Sequence, residues 1–366
     1  MASKIRIGIV GATVTPGGSG WGANAHIPAL RVLPDYEVVA VCTAHEDTAK
    51  ASAEAFGVSK AYHDIDAMAA DPEVDLVVVS VRVPLHHQLV MAGLRAGKPV
   101  FCEWPLGANL AEAQEMADTA REKGVRGIVG LQGRSDPAVR HARDLIARGE
   151  IGEVLTANLS IMTPAALERG AGRIWQNDKR NGANTLTIAG GHGIDAMCAI
   201  LGEPTEVTAR LATRIPEWKD TDKNVMVPVD SPDSISFIGR VPSGAEISVQ
   251  VAAVPVGASG SRLEIYGREG VLILQSAGAL STGPNRMYVG KGKEAVAEVQ
   301  PPTEYVPTPE DMPAGPPRNV GGGYARLADA FTSSEPFEPD FDVAVTRHKL
   351  IDAIERSAAS GTTVKL

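Results

Sequence analysis

A glycine-rich loop follows the opening apolar run, Ile5–Val10, and is the first stretch with the residue types for chemistry. Small residues at this place let backbone N–H groups and the next helix N-terminus approach a pyrophosphate. The loop therefore predicts a dinucleotide site. Thr13 takes the place of the second glycine in the GxGxxG pattern, so a surface loop is the alternative. The candidate cofactor residues are Gly11, Ala12, Thr13, Gly20 and Trp21.

The second apolar run, Tyr36–Cys42, ends in Thr43, Ala44 and His45. An acid at this place binds the ribose hydroxyls of NAD, and an arginine accommodates the phosphate of NADP. Neither residue type is present, so the sequence does not show which cofactor is preferred. Thr43 and His45 could form hydrogen bonds with either group.

A histidine between glycines, in the segment Gly190–Asp195, is the candidate general base. The imidazole of His192 titrates near working pH and could accept the proton of a substrate hydroxyl. Asp195 lies about one helical turn further and could orient the ring, or could only favour the helix start by its charge. The alternative for His192 is a histidine that only packs at a helix start.

The loop before this segment carries residues that suit a carbohydrate, which aromatic faces and fixed polar groups hold. Trp175, Asp178 and Asn184 are these candidates, and Lys179 or Arg180 could supply positive charge. The alternative is a solvated loop. Arg134 could meet an anionic substituent or pair with an acid. The cations near the expected site suggest an acidic sugar; they are Arg134, Arg173, Lys179 and Arg180.

Two patterns of apolar and helical segments along the chain predict the elements that position these residues. Up to about residue 126, short apolar runs alternate with helical stretches, which is typical of a parallel sheet covered on both faces. Beyond about residue 150, consecutive strands joined by turns favour an antiparallel sheet. We expect a nucleotide-binding domain at 1–126 and a substrate-binding and oligomerisation domain at 127–366. The Pro- and Gly-rich stretch 283–323 predicts an irregular loop or arm.

Composition excludes several classes of function. The formal net charge of −9 disfavours a nucleic-acid or anionic membrane surface. No apolar run reaches the roughly 20 residues of a membrane helix, and the first residues do not resemble a signal peptide. Cys42, Cys102 and Cys198 lie far apart, which fits a reducing cytoplasm and no disulfide framework. No cluster has metal-ligand spacing, so we expect no metal.

The segment Gly97–Leu106 (GKPVFCEWPL) resembles the GK.V.CEKPL motif of the glucose–fructose oxidoreductase, inositol dehydrogenase and rhizopine catabolism (Gfo/Idh/MocA) family. Ala25–Leu30, the GxHxxD-like Gly190–Asp195 and Leu263–Gly267 match in the same order. The resemblance implies an N-terminal Rossmann domain with a doubly wound parallel sheet. It also implies a C-terminal α+β domain with an open, mainly antiparallel sheet. It implies NAD, with NADP as an alternative, and cofactor contacts also at Ser80, Arg82, His86, Glu103, Trp104 and Gln132.

Two departures from the family pattern bear on catalysis. Trp104 stands where the family has the lysine beside the nicotinamide, and Ile188 stands where an acid precedes the histidine by four residues. Trp104 could stack on a sugar but cannot act as a proton partner. Both changes resemble the branch that contains the fungal galactose-pathway repressor, which acts by binding a transcription factor.

These observations predict an NAD(P)-dependent oxidoreductase that acts on a hydroxyl of a pyranose sugar or derivative, with His192 as acid/base. One alternative is an NAD-dependent glycosidase that uses transient oxidation, elimination and re-reduction. The other is a dinucleotide-binding sensor without catalysis. Because an open sheet exposes one face, we expect a homodimer or homotetramer, with a small carbohydrate as the other partner.

Overall fold

The computed structural model describes residues 4–14, 20–333 and 336–366. The chain forms two compact units. Unit 1 comprises Met1–Leu131 and Pro307–Thr346, and unit 2 comprises Gln132–Val306 and Arg347–Leu366. The first break between the units falls after Leu131, and the domain boundary predicted after residue 126 stays a prediction. The strand that begins at Gly127 belongs to the sheet of unit 1, and the chain returns to unit 1 after the last long strand of unit 2.

Unit 1 contains one six-stranded sheet in the order β3-β2-β1-β4-β5-β6, and all neighbouring strands are parallel. Its strands are β1 (Ile5–Val10), β2 (Tyr36–Cys42), β3 (Lys60–Tyr62), β4 (Leu76–Val79), β5 (Val100–Glu103) and β6 (Gly127–Gly130). The apolar β4 is buried along its whole length, as expected when helices cover both faces. The strand order reverses between β1 and β4, where ligands of doubly wound sheets bind. The predicted parallel sheet is confirmed.

Nine α-helices of the described residues accompany the sheets. They are α1 (Ile27–Val32), α2 (Glu46–Phe56), α3 (Ile65–Ala70), α4 (His86–Arg95), α5 (Leu110–Lys123), α6 (Pro137–Ala147), α7 (Gly191–Leu201), α8 (Pro316–Ser333) and α9 (Phe341–Ser360). Local signals set their ends. In α5 the Asn109 side chain accepts a hydrogen bond from the Glu112 backbone N–H, and Gly124, with φ of 63°, ends the helix. None of the described helices is both long and apolar enough to cross a membrane.

Unit 2 contains a nine-stranded sheet in the order β17-β16-β15-β14-β7-β13-β12-β9-β18 and a small sheet β11-β10-β8. The strands are β7 (Val154–Pro164), β8 (Glu168–Arg169), β9 (Glu206–Ala212), β10 (Glu217–Asp220), β11 (Val225–Pro228), β12 (Ser234–Arg240), β13 (Glu246–Val254), β14 (Gly260–Gly267), β15 (Gly270–Ser276), β16 (Arg286–Lys291), β17 (Ala297–Val299) and β18 (Val364–Lys365). In the large sheet β7 and β13 are parallel and the other pairs are antiparallel. The expected mainly antiparallel sheet is confirmed.

The large sheet has one covered face and one open face. Along β12, Ile235 and Phe237 are buried whereas Ser236 and Ile238 are exposed. This alternation is the period of two that a strand imposes when one face packs on the core. The open face carries a shallow depression of about 600 Å³.

The Pro- and Gly-rich stretch is more regular than expected. It contains β16 and β17, and α8 begins within it at Pro316. Three consecutive glycines disfavour a helix, but Tyr324 and Leu327 of α8 are fully buried and join the unit 1 core with Phe101. The Tyr324 ring stacks on that of Phe101 at 5.2 Å between centroids. Burial of this apolar face outweighs the local propensity.

Candidate functional site

After β1 the backbone approaches neighbouring segments so closely at two glycines, Gly11 and Gly22, that no side chain would fit. Gly11 has φ of 94°, and a Cβ there would lie 2.1 Å from the carbonyl oxygen of Ser80, at the end of β4. A Cβ on Gly22 would lie 2.9 Å from the backbone of Ala12. The chain therefore makes the close strand-to-helix approach that a dinucleotide site requires. Of the glycine loop, residues 15–19 lie outside the described residues.

Ser80 supports the same location for the cofactor. Its side chain is buried, and within the described part of the chain its Oγ makes no hydrogen bond. A buried hydroxyl without a partner is costly, so a polar ligand group at this strand end would satisfy it. The residues at the switch point thus fit a dinucleotide.

The turn after β2 holds the Thr43 side chain by local hydrogen bonds, and the cofactor contacts of Thr43 and His45 stay a prediction. The Thr43 hydroxyl donates to the carbonyl oxygen of His45 at 3.0 Å and lies 2.7 Å from the hydroxyl of Thr48. Its single donor is thus used inside the turn that leads into α2. Ala44 and His45 are exposed.

His86 and Glu103 are both bound by other residues of unit 1. The His86 ring nitrogens lie 2.8 Å from the carbonyl oxygen of Pro105 and 3.2 Å from that of Val81, and burial lowers its pKa. Glu103 Oε1 accepts a hydrogen bond of 2.9 Å from His26 Nε2, and His26 Nδ1 lies 2.8 Å from the Tyr324 hydroxyl. Both ring nitrogens of His86 thus face backbone carbonyl oxygens of unit 1, one after β4 and one after β5, and its role as a cofactor ligand stays a prediction. Tyr324 lies in the segment Pro307–Thr346, and no sequence motif indicated its contact with His26.

Trp104 directly follows β5 and is 5% exposed. A neutral indole now stands at the place where the family pattern has a cation. Arg82, after β4, is half-buried, and Gln132, in the turn that follows β6, is buried. Trp104, Arg82 and Gln132 stay proposed cofactor contacts.

In unit 2, His192 lies at the start of α7, and a π-helical turn, Leu186–Gly190, leads directly into it. Such turns are rare and often occur at functional sites. Unit 2 holds two other histidines, His141 and His348, and both are buried, whereas His192 is half-buried. The imidazole best placed to meet a ligand in unit 2 is therefore that of His192.

Asp195 is bound by two arginines of unit 2. Its carboxylate is 1% exposed and accepts hydrogen bonds from Arg134, at 3.0 Å from both Nε and Nη2, and from Arg347 Nη2 at 3.3 Å. Arg347 also binds Glu203 at 2.7 Å. A buried carboxylate must be paired, and these two arginines pair it, which is the alternative given for Arg134. The proposed catalytic role of Asp195 stays a prediction.

The side chains of Trp175 and Asn184 form hydrogen bonds within the expected carbohydrate loop. The Trp175 indole donates to the carbonyl oxygen of Gly172 at 2.9 Å, and Asn184 Oδ1 accepts from the backbone N–H groups of Leu186 and Thr187. These bonds build the turn before α7, so Asn184 has a capping role.

The charged residues of that loop lie in an exposed turn. Arg180 Nε donates to both oxygens of Asp178 at 3.0 Å, and this hydrogen bond lowers the pKa of Asp178 to about 2. The backbone N–H of Lys179 donates to Asp230, and its side chain is exposed. Asp178 and Arg180 form a local ion pair, and their contacts with substrate stay a prediction. Lys179 stays a proposal.

A cavity of about 180 Å³ in unit 2 was not expected from the sequence. Arg169, Arg173, Trp218 and Asp233 line it together with Asn184. Its residues come from several distant segments, so no local motif could indicate it. Among the described residues no group of three or more His, Cys, Asp or Glu side chains could hold a metal ion.

A glycine-lined switch point in a parallel sheet, joined to an α+β unit, defines a dinucleotide-binding protein with a second domain. Residues 5–131 match the model of the oxidoreductase family with an NAD-binding Rossmann fold, and residues 139–273 match the GFO/IDH/MocA C-terminal domain. The chain belongs to the GFO/IDH/MocA oxidoreductase family, and its cofactor is NAD.

Three similar proteins show the range of this family. Dehydrogenase aclE of Aspergillus oryzae is 34% identical over 99% of this chain and 98% of its own. The galactose/lactose metabolism regulatory protein GAL80 of Saccharomyces cerevisiae is 25% identical over 80% of this chain and 72% of its own. A structure of levoglucosan dehydrogenase in complex with NADH has a TM-score of 0.87 at 23% identity, over 99% of both chains, and supports the fold.

Proposed function

We propose that the protein is an NAD-dependent oxidoreductase that acts on a hydroxyl of a pyranose sugar or sugar derivative. The observation that carries this proposal is His192, a half-buried imidazole at the start of α7 in a chain whose whole length matches a dehydrogenase. The sugar class is supported by the fold-level likeness to levoglucosan dehydrogenase.

In the proposed mechanism the protein's own groups bind the substrate and move one proton. NAD, when bound, supplies the hydride acceptor. The imidazole of His192 accepts the hydroxyl proton as the carbon is oxidised. Asp195 does not share this proton, because Arg134 and Arg347 neutralise it inside the unit. Trp104 takes no part in proton transfer, because its indole N–H is only a hydrogen-bond donor.

His192→Asn tests the assignment. Loss of a general base costs about 10²–10⁴-fold in turnover, measured as NADH absorbance with the sugar that gives the highest wild-type rate. His63→Asn, which changes an exposed histidine of unit 1, is the matched control and keeps the wild-type rate. A near-normal rate for His192→Asn, in a protein with an unchanged melting temperature, contradicts the role of His192.

A regulatory role is the second candidate. The likeness to GAL80 and the replacement of the family lysine by Trp104 favour a protein that binds dinucleotide without turnover. Robust oxidation of any sugar excludes this as the main role.

A redox-neutral glycosidase is the third candidate. Release of a sugar without net formation of NADH distinguishes this activity from that of a dehydrogenase. NAD that stays bound through purification, identified by mass spectrometry after denaturation, favours the glycosidase over a dehydrogenase with a dissociable cofactor.

We also propose that two or four copies associate through the open face of the large sheet. Ile238 on this face is 59% exposed, and an exposed apolar side chain on a broad sheet is suited to an interface between copies. Static light scattering at micromolar concentration measures the oligomeric state, and a monomer contradicts the proposal.

A reducing cytoplasm is the proposed location, in keeping with three buried free thiols.

A further inference from the structure

The cavity of about 180 Å³ in unit 2 has two cationic side chains in its lining, Arg169 and Arg173. Arg169 ends the short strand β8, and Arg173 precedes the turn that contains Gln176. The other lining groups include Asn184 and Trp218, so the cavity combines positive charge, an amide and an aromatic ring.

Neutral groups hold Arg169 in place. Its guanidinium lies 3.4 Å above the Trp218 ring, Nη1 donates to Gln176 Oε1 at 2.7 Å, and Nε donates to the carbonyl oxygen of Ala166 at 3.2 Å. Unit 2 lies wholly within the described residues, and in it Arg169 makes no ion pair and no hydrogen bond from Nη2. Burial, together with the nearby Arg173, lowers the pKa of Arg169 to about 10. The guanidinium stays charged at neutral pH.

The acids around the cavity are bound elsewhere. Asp233, in the lining, accepts hydrogen bonds of 2.7 Å from the backbone N–H groups of Arg214 and Ile215. Glu168 lies 3.5 Å from Lys219. Arg173 is exposed, and its side chain makes no ion pair with any described residue. Two guanidinium groups are therefore near one carboxylate whose oxygens already accept backbone donors.

We propose that this cavity binds the carboxylate or phosphate group of a small-molecule ligand through Arg169 and Arg173. A partly buried guanidinium without an acid is costly, and an oxyanion satisfies it with charge-assisted hydrogen bonds. The planar Arg169, fixed by Trp218 and Gln176, is pre-organised for such bonds. If the proposed function is right, the ligand is an acidic sugar, such as a uronate or a sugar phosphate. Binding itself does not depend on turnover.

Titration calorimetry with glucuronate, glucose 6-phosphate, inorganic phosphate and neutral glucose tests the proposal. We expect at least one anionic sugar to bind more than tenfold tighter than glucose, with an affinity that falls as salt rises. A preference for glucuronate identifies a carboxylate site, and a preference for glucose 6-phosphate or phosphate identifies a phosphate site. Equal binding of glucose and both acidic sugars overturns the proposal.

Arginine variants identify the site. Arg173→Gln, at an exposed position, should weaken binding of the anionic sugar about tenfold or more without affecting the fold. Arg169→Gln should do the same and Arg169→Lys less, because lysine keeps the charge. Arg356→Gln, at an exposed position near the end of α9, is the control and leaves the affinity unchanged. Unchanged affinity in Arg173→Gln and Arg169→Gln overturns the proposal. If both variants lose binding and the wild-type protein oxidises no sugar, the result supports this site and contradicts the proposed function.

Discussion

Unit 2 contains two pairs of arginines in opposite electrostatic surroundings. Arg134 and Arg347 converge on Asp195, which is 1% exposed, and Arg347 is itself fully buried. Arg169 and Arg173 line an open cavity and make no ion pair in this unit. The first pair compensates a buried charge inside the protein. The second pair leaves charge available to a ligand.

The comparison shows that the residue type alone does not determine what an arginine does. In the sequence, Arg134 and Arg173 are equal candidates for binding an anionic substrate, but of these two only Arg134 pairs with a carboxylate of the described residues. A buried carboxylate requires nearby cations, whereas a cavity with uncompensated cations favours an anion from solution. Three predictions test this difference, and the largest effect comes first.

Asp195→Asn should lower the free energy of unfolding by about 3–5 kcal/mol, because Arg134 and Arg347 lose the buried carboxylate that they share and, among the described residues, only Glu203 still pairs with Arg347. Equilibrium unfolding in urea measures the loss. Asp178→Asn, which removes an acid from an exposed turn, is the control and should have little effect. A loss of less than about 1 kcal/mol for Asp195→Asn would mean that the network around Arg347 is not required for stability.

His348→Gln should flatten the pH dependence of stability between about pH 6.5 and 4. Burial and the neighbouring Arg347 lower the pKa of His348 from 6.5 to about 4. As pH falls below 6.5 the unfolded chain binds a proton that the native chain rejects, so stability decreases until the native pKa is reached. The shift corresponds to at most about 3 kcal/mol.

The measurement for His348→Gln is the urea midpoint at several pH values, compared with wild type. His63→Gln, at an exposed site, should keep the wild-type slope. Parallel curves for wild type and His348→Gln would contradict the effect of Arg347 on this histidine.

Arg173→Gln should change the free energy of unfolding by less than about 0.5 kcal/mol, the usual range for an exposed side chain without an ion pair. The same urea series measures it. A loss as large as that of Asp195→Asn would show that Arg173 supports the fold, and the contrast between the two pairs would fail.

Part of the candidate site was predictable because its signal is local. Gly11 follows an apolar run directly, and the structure shows the close approach to Ser80 that requires glycine there. The segment with His192 was also found from its motif. The hydrogen bonds of Asp195 and His86 were not, because partners such as Arg347 and Pro105 are not set by the spacing of a motif.

The return of residues 307–346 to unit 1 had no local signal either. Its glycines and prolines favour a loop, and only burial of Tyr324 against Phe101 explains the helix. A contact between positions so far apart depends on the completed sheet.

The sequence by itself determined the parallel sheet of unit 1, the mainly antiparallel sheet of unit 2 and the glycine at the end of β1, because hydrophobic periodicity and backbone sterics act between near neighbours. Only the tertiary structure decided which charges are neutralised. The role of an arginine depends on whether a carboxylate from a distant segment lies beside it, as Asp195 does for Arg134 and none does for Arg169.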